Sequence, residues 1–186
     1  MIIRISTSLT FCLLAFAGPA HAQLIVQGRG HAAKCYGYAV SGNTGTRSAI
    51  QTCDAAFSDY LSKKDEAATY VNRGVLHMRK GDQIRASEDY EAALSIDPDL
   101  TEAHVNYSAS LIRQEKYNDA LDAIEKALSD PESKIRPEAL YNRAIIFHQK
   151  EDYPRAYRDL RAALVLRPNW KPAVERLENY EVRPAD

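Results

Sequence analysis

One spacing of small residues, present three times, constrains this chain more than any other feature. Gly74, Ala86 and Ala93 recur 34 residues on as Ser108, Ala120 and Ala127, and 36 further on as Ala144, Ala156 and Ala163. A large side chain keeps the same place in each copy: Tyr90, Ile124 and Leu160. In the first copy Lys80-Gly81-Asp82 interrupts the apolar pattern and Pro98 closes it; Pro131, displaced by one place, and Pro168 are the counterparts. Two amphipathic helices with a tight turn between them satisfy all of this. Small residues at the crossing allow two backbones to approach closely. Such a hairpin cannot bury its apolar stripe alone, so the copies must stack on one another.

Period and residues together resemble the tetratricopeptide repeat (TPR) family. The resemblance implies an all-α fold, a right-handed superhelix of helical hairpins. The units are 67–100, 101–136 and 137–170, the second carrying two extra residues within LSDPESKIRP. Helices are expected over 67–80, 83–96, 101–114, 117–129, 137–150 and 153–166. Gly81 suits the left-handed position that ends a helix, and Pro137 and Pro154 suit first turns. Residues 171–186 read as a cap: one helix, Lys171 to Tyr180, with Glu175, Arg176, Glu178 and Asn179 as its polar outer face, then a fraying VRPAD tail.

The front of the chain has a different character. Residues 1–22 read as a secretory signal: Arg4 is the positive start, Leu9 to Ala17 a short apolar core, and Ala20-His21-Ala22 a small-x-small cleavage site. The apolar run is too short to span a bilayer. Cys12 lies inside the core rather than after it, which argues against a lipoprotein signal. Cleavage would start the mature chain at Gln23 and move the net charge from −1 to −2. That charge supplies neither a basic stripe for nucleic acid nor a polybasic patch for lipid. About 160 residues remain, enough for one domain.

Residues 23–66 precede the clear repeats. Gln23 to Gly30 is an irregular lead-in, and Ser58 to Glu66 a linker. Cys35 and Cys53 survive cleavage, and an exported chain with two cysteines invites a disulfide; two buried free thiols are the alternative. Between them lies a candidate helical hairpin with SGNTGT as its turn. Gly37, Ala49 and Ala56 match the small positions of the repeat, with Cys53 where Tyr90 sits, so 30–63 resemble a degenerate first repeat.

No catalytic constellation emerges. His77, His104 and His148 fall one per repeat but at different positions, the first two on packed faces; His148 forms a lone i, i+3 pair with Glu151. A metal site needs three or four converging ligands, and none is visible, nor is any cofactor motif. No serine or cysteine has a recognisable base nearby. Most tyrosines (Tyr70, Tyr90, Tyr107, Tyr117 and Tyr153) occupy packing positions, whereas Tyr141 holds a position that faces the groove in the family.

Asparagine is more informative. Asn72, Asn106 and Asn142 stand two residues before the small crossing residue in all three repeats. Asn is a poor helix former, so three copies at one register need a reason. The family resemblance places this position on the concave side. A carboxamide there offers a donor and an acceptor together, matching a peptide bond. The pattern is similar to the asparagine ladder of the O-linked N-acetylglucosamine transferase superhelix, and resembles part of the carboxylate clamp of co-chaperone repeats. Arg79 and Arg113 suit the clamp, though its lysines are missing, and Arg176 stands at the Asn position of the next unit. The alternative is that Asn binds neighbouring backbone. Groove walls would be Val71, Val75, Met78, Val105, Ala109, Ile112, Tyr141 and Ile145, an apolar strip expected to face solvent, and such strips mark binding sites.

The expected function is a periplasmic interaction module that binds a partner protein or peptide in its concave groove, without turnover and without nucleic acid. A self-associating structural envelope protein is the first alternative. An enzyme with a site assembled from distant residues is the second.

Overall fold

The structure, a computed structural model, describes residues 2–5, 30–42 and 46–183. Among these, helices run in antiparallel pairs: α1 (His31–Val40) with α2 (Arg47–Ala56), α3 (Lys63–Lys80) with α4 (Gln83–Ile96), α5 (Thr101–Arg113) with α6 (Tyr117–Leu128), and α7 (Arg136–Gln149) with α8 (Tyr153–Leu166). A short α9 (Lys171–Leu177) closes the row. Two strands, β1 (Ile2–Ile5) and β2 (Tyr180–Arg183), pair antiparallel beyond it. Of the expected signal 1–22, residues 6–22 with the apolar core Leu9 to Ala17 lie outside the described residues, as does part of the SGNTGT turn.

The small-residue positions do what their spacing predicts. Ala86, Ala93, Ala120, Ala144, Ala156 and Ala163 are fully buried, as is Ser108. At the first crossing a Cβ on Gly74 would lie 2.5 Å from Cε1 of Tyr90, so the Tyr90 ring occupies the space a side chain there would need. Tyr90, Ile124 and Leu160 have no exposed surface. Burial of each contributes on the order of 1.5–3 kcal/mol.

The turns of the α3–α4, α5–α6 and α7–α8 hairpins end the first helix in the same way. The N–H of Asp82 donates to His77 O at 2.9 Å, that of Lys116 to Leu111 O at 2.9 Å, and that of Asp152 to Phe147 O at 2.8 Å. This six-to-one bond needs a left-handed residue just before it. Gly81 fills that place at φ 89°, but Glu115 and Glu151 fill it at φ 60° and 59°. Asp82 and Asp152 then cap the second helices, accepting from the N–H of Arg85 and of Arg155.

Some boundaries differ from expectation. The segment read as a linker up to Glu66 ends in helix, because α3 starts at Lys63. Ser62 Oγ accepts the N–H of Asp65 at 3.1 Å, a capping pattern that starts the helix a turn early. At the other end α9 stops at Leu177 instead of Tyr180, and Val182 and Arg183 belong to β2 rather than to a fraying tail.

Cys35 and Cys53 are joined by a disulfide that ties α1 to α2. The register within α1 needs correction: Gly37 is exposed, with nothing near its Cβ position, and does not match Gly74. The face of α1 turned inward carries Ala32, Cys35 and Ala39, because the bridge brings Cys35 against α2. Cys35, Cys53, Ala49 and Ile50 pack with Leu76 of α3, so the hairpin covers the first end of the array.

Two measurements test this packing. Gly74→Ala and Ala120→Leu should each destabilise by about 1–3 kcal/mol through overpacking, read as a lower denaturant midpoint with an unchanged m-value. Reducing the disulfide should remove roughly 3 kcal/mol from the α1–α2 unit, seen as early loss of amide protection in α1 and α2 while α5 to α8 stay protected.

Candidate functional site

The first helices α1, α3, α5 and α7 contact one another in succession along the row. The asparagines sit on three of them at one register, and all three are buried: Asn72 and Asn106 completely, Asn142 with 5% exposure. The structure resolves the role of one directly. Asn142 Nδ2 donates to Val105 O and to Ser108 Oγ, both at 3.2 Å, tying α7 to α5. This carboxamide therefore binds neighbouring backbone, the alternative raised by the sequence.

The apolar strip is also in place, but it does not face solvent. Val71, Val75, Met78, Val105, Ala109, Ile112, Tyr141 and Ile145 are all buried in the intact chain. The reason is the closeness of successive first helices. Val71 and Met78 of α3 share a cluster with Ala103 and Ala109 of α5, while Val105 and Ile112 share another with Tyr141 and Ile145 of α7. The arginines differ among themselves. Arg113 is exposed at the end of α5, and Arg79 is half-buried. Arg176 is half-buried, its guanidinium 5.8 Å from the centre of the Tyr141 ring, which also meets Trp170 at 5.1 Å. Tyr141 thus anchors a cation and an aromatic from the capping segment.

Several functional-looking side chains are structural. His104 Nε2 lies 2.8 Å from Pro98 O, fixing the loop before its own helix. His77 Nε2 lies 3.9 Å from Asp89 Oδ2. His148 Nδ1 lies 2.7 Å from the Tyr180 hydroxyl, because the chain after α9 folds back over the end of α7. Among the described residues no three His, Cys, Asp or Glu side chains converge as a metal site would require.

Three ion pairs escaped the sequence reading. Arg73 Nε and Nη2 grip Asp89 at 2.6–3.1 Å across the α3–α4 hairpin, and Arg73 Nη1 reaches Asp54 of α2 at 2.7 Å. Seventy residues on, Arg143 grips Asp159 at 2.7 and 2.8 Å across α7–α8. The middle repeat has Tyr107 and Ala123 at those places, and there Tyr107 instead donates to Glu91 of the previous hairpin. The shared i, i+16 spacing of Arg and Asp was the available signal. Between the α3–α4 and α5–α6 hairpins, Ser110 Oγ donates to Gln83 O at 2.8 Å and Gln114 Nε2 to Ser87 Oγ at 2.7 Å.

Stacked helical hairpins of this period, with a continuous row of first helices, define a repeat scaffold. The tetratricopeptide repeat family model matches residues 67–100 and 110–169. The chain belongs to the tetratricopeptide repeat family, whose fold is a protein–protein interaction module. Similar solved structures include YrrB, described as a TPR protein with an unusual peptide-binding site: TM-score 0.64, 17% identity, 80% of this chain and 73% of that one. MamA gives a TM-score of 0.62 at 15% identity over 77% of this chain and 80% of the other. A MamA fragment from Desulfovibrio magneticus RS-1 gives 0.62 at 17% identity, covering 77% of each. These likenesses concern the fold. Ethylene-overproduction protein 1 of Arabidopsis thaliana is 33% identical over 120 residues, 63% of this chain but only 12% of that protein's length.

The buried imidazoles set a pH dependence. Burial disfavours the cation and pushes His77, His104 and His148 below their ordinary value of 6.5. The unfolded chain therefore binds more protons than the folded one as pH falls through about 6.5. Stability is full above that value and declines below it. Denaturant midpoints at successive pH values between neutral and mildly acidic should show this decline, and His104→Gln with His148→Gln should flatten it.

Proposed function

We propose that the chain is an exported, periplasmic adaptor that holds an extended segment of a partner protein along α3, α5 and α7. The observation that carries this reading is the tetratricopeptide repeat scaffold, whose first helices α3, α5 and α7 follow one another in contact and carry Asn72, Asn106 and Asn142 at one register. A carboxamide can pair with a peptide group through both its donor and its acceptor. The peptide-binding site described for YrrB supports a peptide as the ligand. Arg79 and Arg113 add positive charge beside the row, which favours an acidic segment. Recognition of this kind requires no turnover, and repeat arrays are generally scaffolds. The size of the chain suits an accessory of a larger envelope assembly.

Export is supported by the Arg4, Leu9–Ala17 and Ala20-His21-Ala22 pattern. The Cys35–Cys53 bridge fits an oxidising compartment. The form a partner meets on this reading begins at Gln23.

The test uses that form, expressed to the periplasm with a photo-cross-linking residue at Arg113. Cross-linked partner segments should be recovered from wild type and reduced at least severalfold in Asn72/Asn106/Asn142→Ala. Because Asn142 also ties α7 to α5, an Asn72→Ala/Asn106→Ala chain is compared alongside, with helical circular dichroism confirming the fold. Equal recovery from all three folded chains would sink the groove reading. Fractionation that leaves the chain in the cytosol would sink the export.

A further inference from the structure

The C-terminal end of the array holds a strand whose partner the proposed processing would remove. Tyr180–Arg183 pairs antiparallel with Ile2–Ile5, Ile3 opposite Val182 and Ile5 opposite Tyr180. Ile3 is 7% exposed, within the same core cluster as Phe147 and Tyr180, and β1 also packs on α8. The other strand is anchored independently. The Tyr180 hydroxyl meets His148 Nδ1 at 2.7 Å, and its ring meets those of His148 and Tyr157 edge-on. Loss of residues 1–22 would therefore leave β2 held in place with an open edge and a vacated apolar seat. An open edge of this kind takes up another extended segment.

Resting on the processing reading above, we propose that the occupant is the new N-terminus of a second copy, Gln23-Leu24-Ile25-Val26. Laid over Ile2–Ile5 in the same register, it places Leu24 where Ile3 sits, one branched apolar side chain for another. Reach decides between the same copy and the next. The first helices follow one another from α1 to α7, with axes about 8–10 Å apart. The start of α1 and the β2 end are then roughly 30 Å apart. Val26 is joined to Gly30 by four Cα links, which span about 14 Å. The arm cannot return to its own β2. With donor at one end and acceptor at the other, the contact is head-to-tail and does not close on itself. In the precursor β1 fills the acceptor, so assembly waits for cleavage.

Two single-ended chains test this. One begins at Gly30 and keeps β2; the other begins at Gln23 and stops at Tyr180. Each should sediment as a monomer alone, and mixing should double the mass to a one-to-one pair. The two-ended chain from Gln23 should form longer species with rising concentration. A synthetic peptide of residues 1–6 should dissolve the pair. Failure of the two folded chains to pair, or self-association of either as strong as that of the two-ended chain, would overturn strand exchange and leave the adaptor reading standing. The intact mass of the exported chain reads the processing separately: a chain retaining Met1 keeps its acceptor filled and overturns both processing and exchange.

Discussion

Everything in this array depends on how closely two helices of a hairpin can approach. In the first repeat the distance is set by Gly74 lying under the Tyr90 ring, where even a methyl group has no room. In the next two, Ser108 and Ala144 occupy the glycine's place, with Ile124 and Leu160 as the facing side chains, and all four are buried. Smaller knobs accompany larger small residues, so the summed volume at each crossing is kept. This close approach lets α3, α5 and α7 follow one another in contact, and their succession creates the row on which the asparagines stand.

That much was legible in the sequence, because a repeated crossing leaves a repeated trace. The asparagine register was legible for the same reason. What the sequence concealed were features that occur once or are swapped between repeats. The early start of α3 rests on a single Ser62–Asp65 cap. The register of α1 is governed by the disulfide, which overrode the apparent match of Gly37 to Gly74. The Arg73–Asp89 and Arg143–Asp159 pairs skip the middle repeat, where Tyr107 takes a different partner, so they showed no unbroken period. The strands at the far end join residues about 180 positions apart, and no local pattern announces such a pairing.

The candidate site was harder to read than the fold. Sequence placed the apolar residues correctly on the first helices, but it could not show that neighbouring first helices share them as core. Asn142 illustrates the overlap of roles. The same amide that would suit a bound peptide backbone is engaged with the backbone of α5. Tyr141, which the repeat pattern assigned to the groove, anchors Trp170 and Arg176 of the capping segment. Repeat arrays build their binding face from the side chains that also join their units, so position within the repeat indicates a face without assigning each residue a partner.

The hairpin turns carry a separate consequence. Gly81 enters the left-handed region freely, whereas Glu115 and Glu151 hold it with a Cβ, at a local cost of about 1–2 kcal/mol each. Both acids are exposed, and neither belongs to the row of first-helix asparagines. Two of the three turns within the repeats thus store tension where no ligand is expected. The molecule is less stable than its own architecture permits, and its rigidity has room to increase without altering the surface that recognises anything.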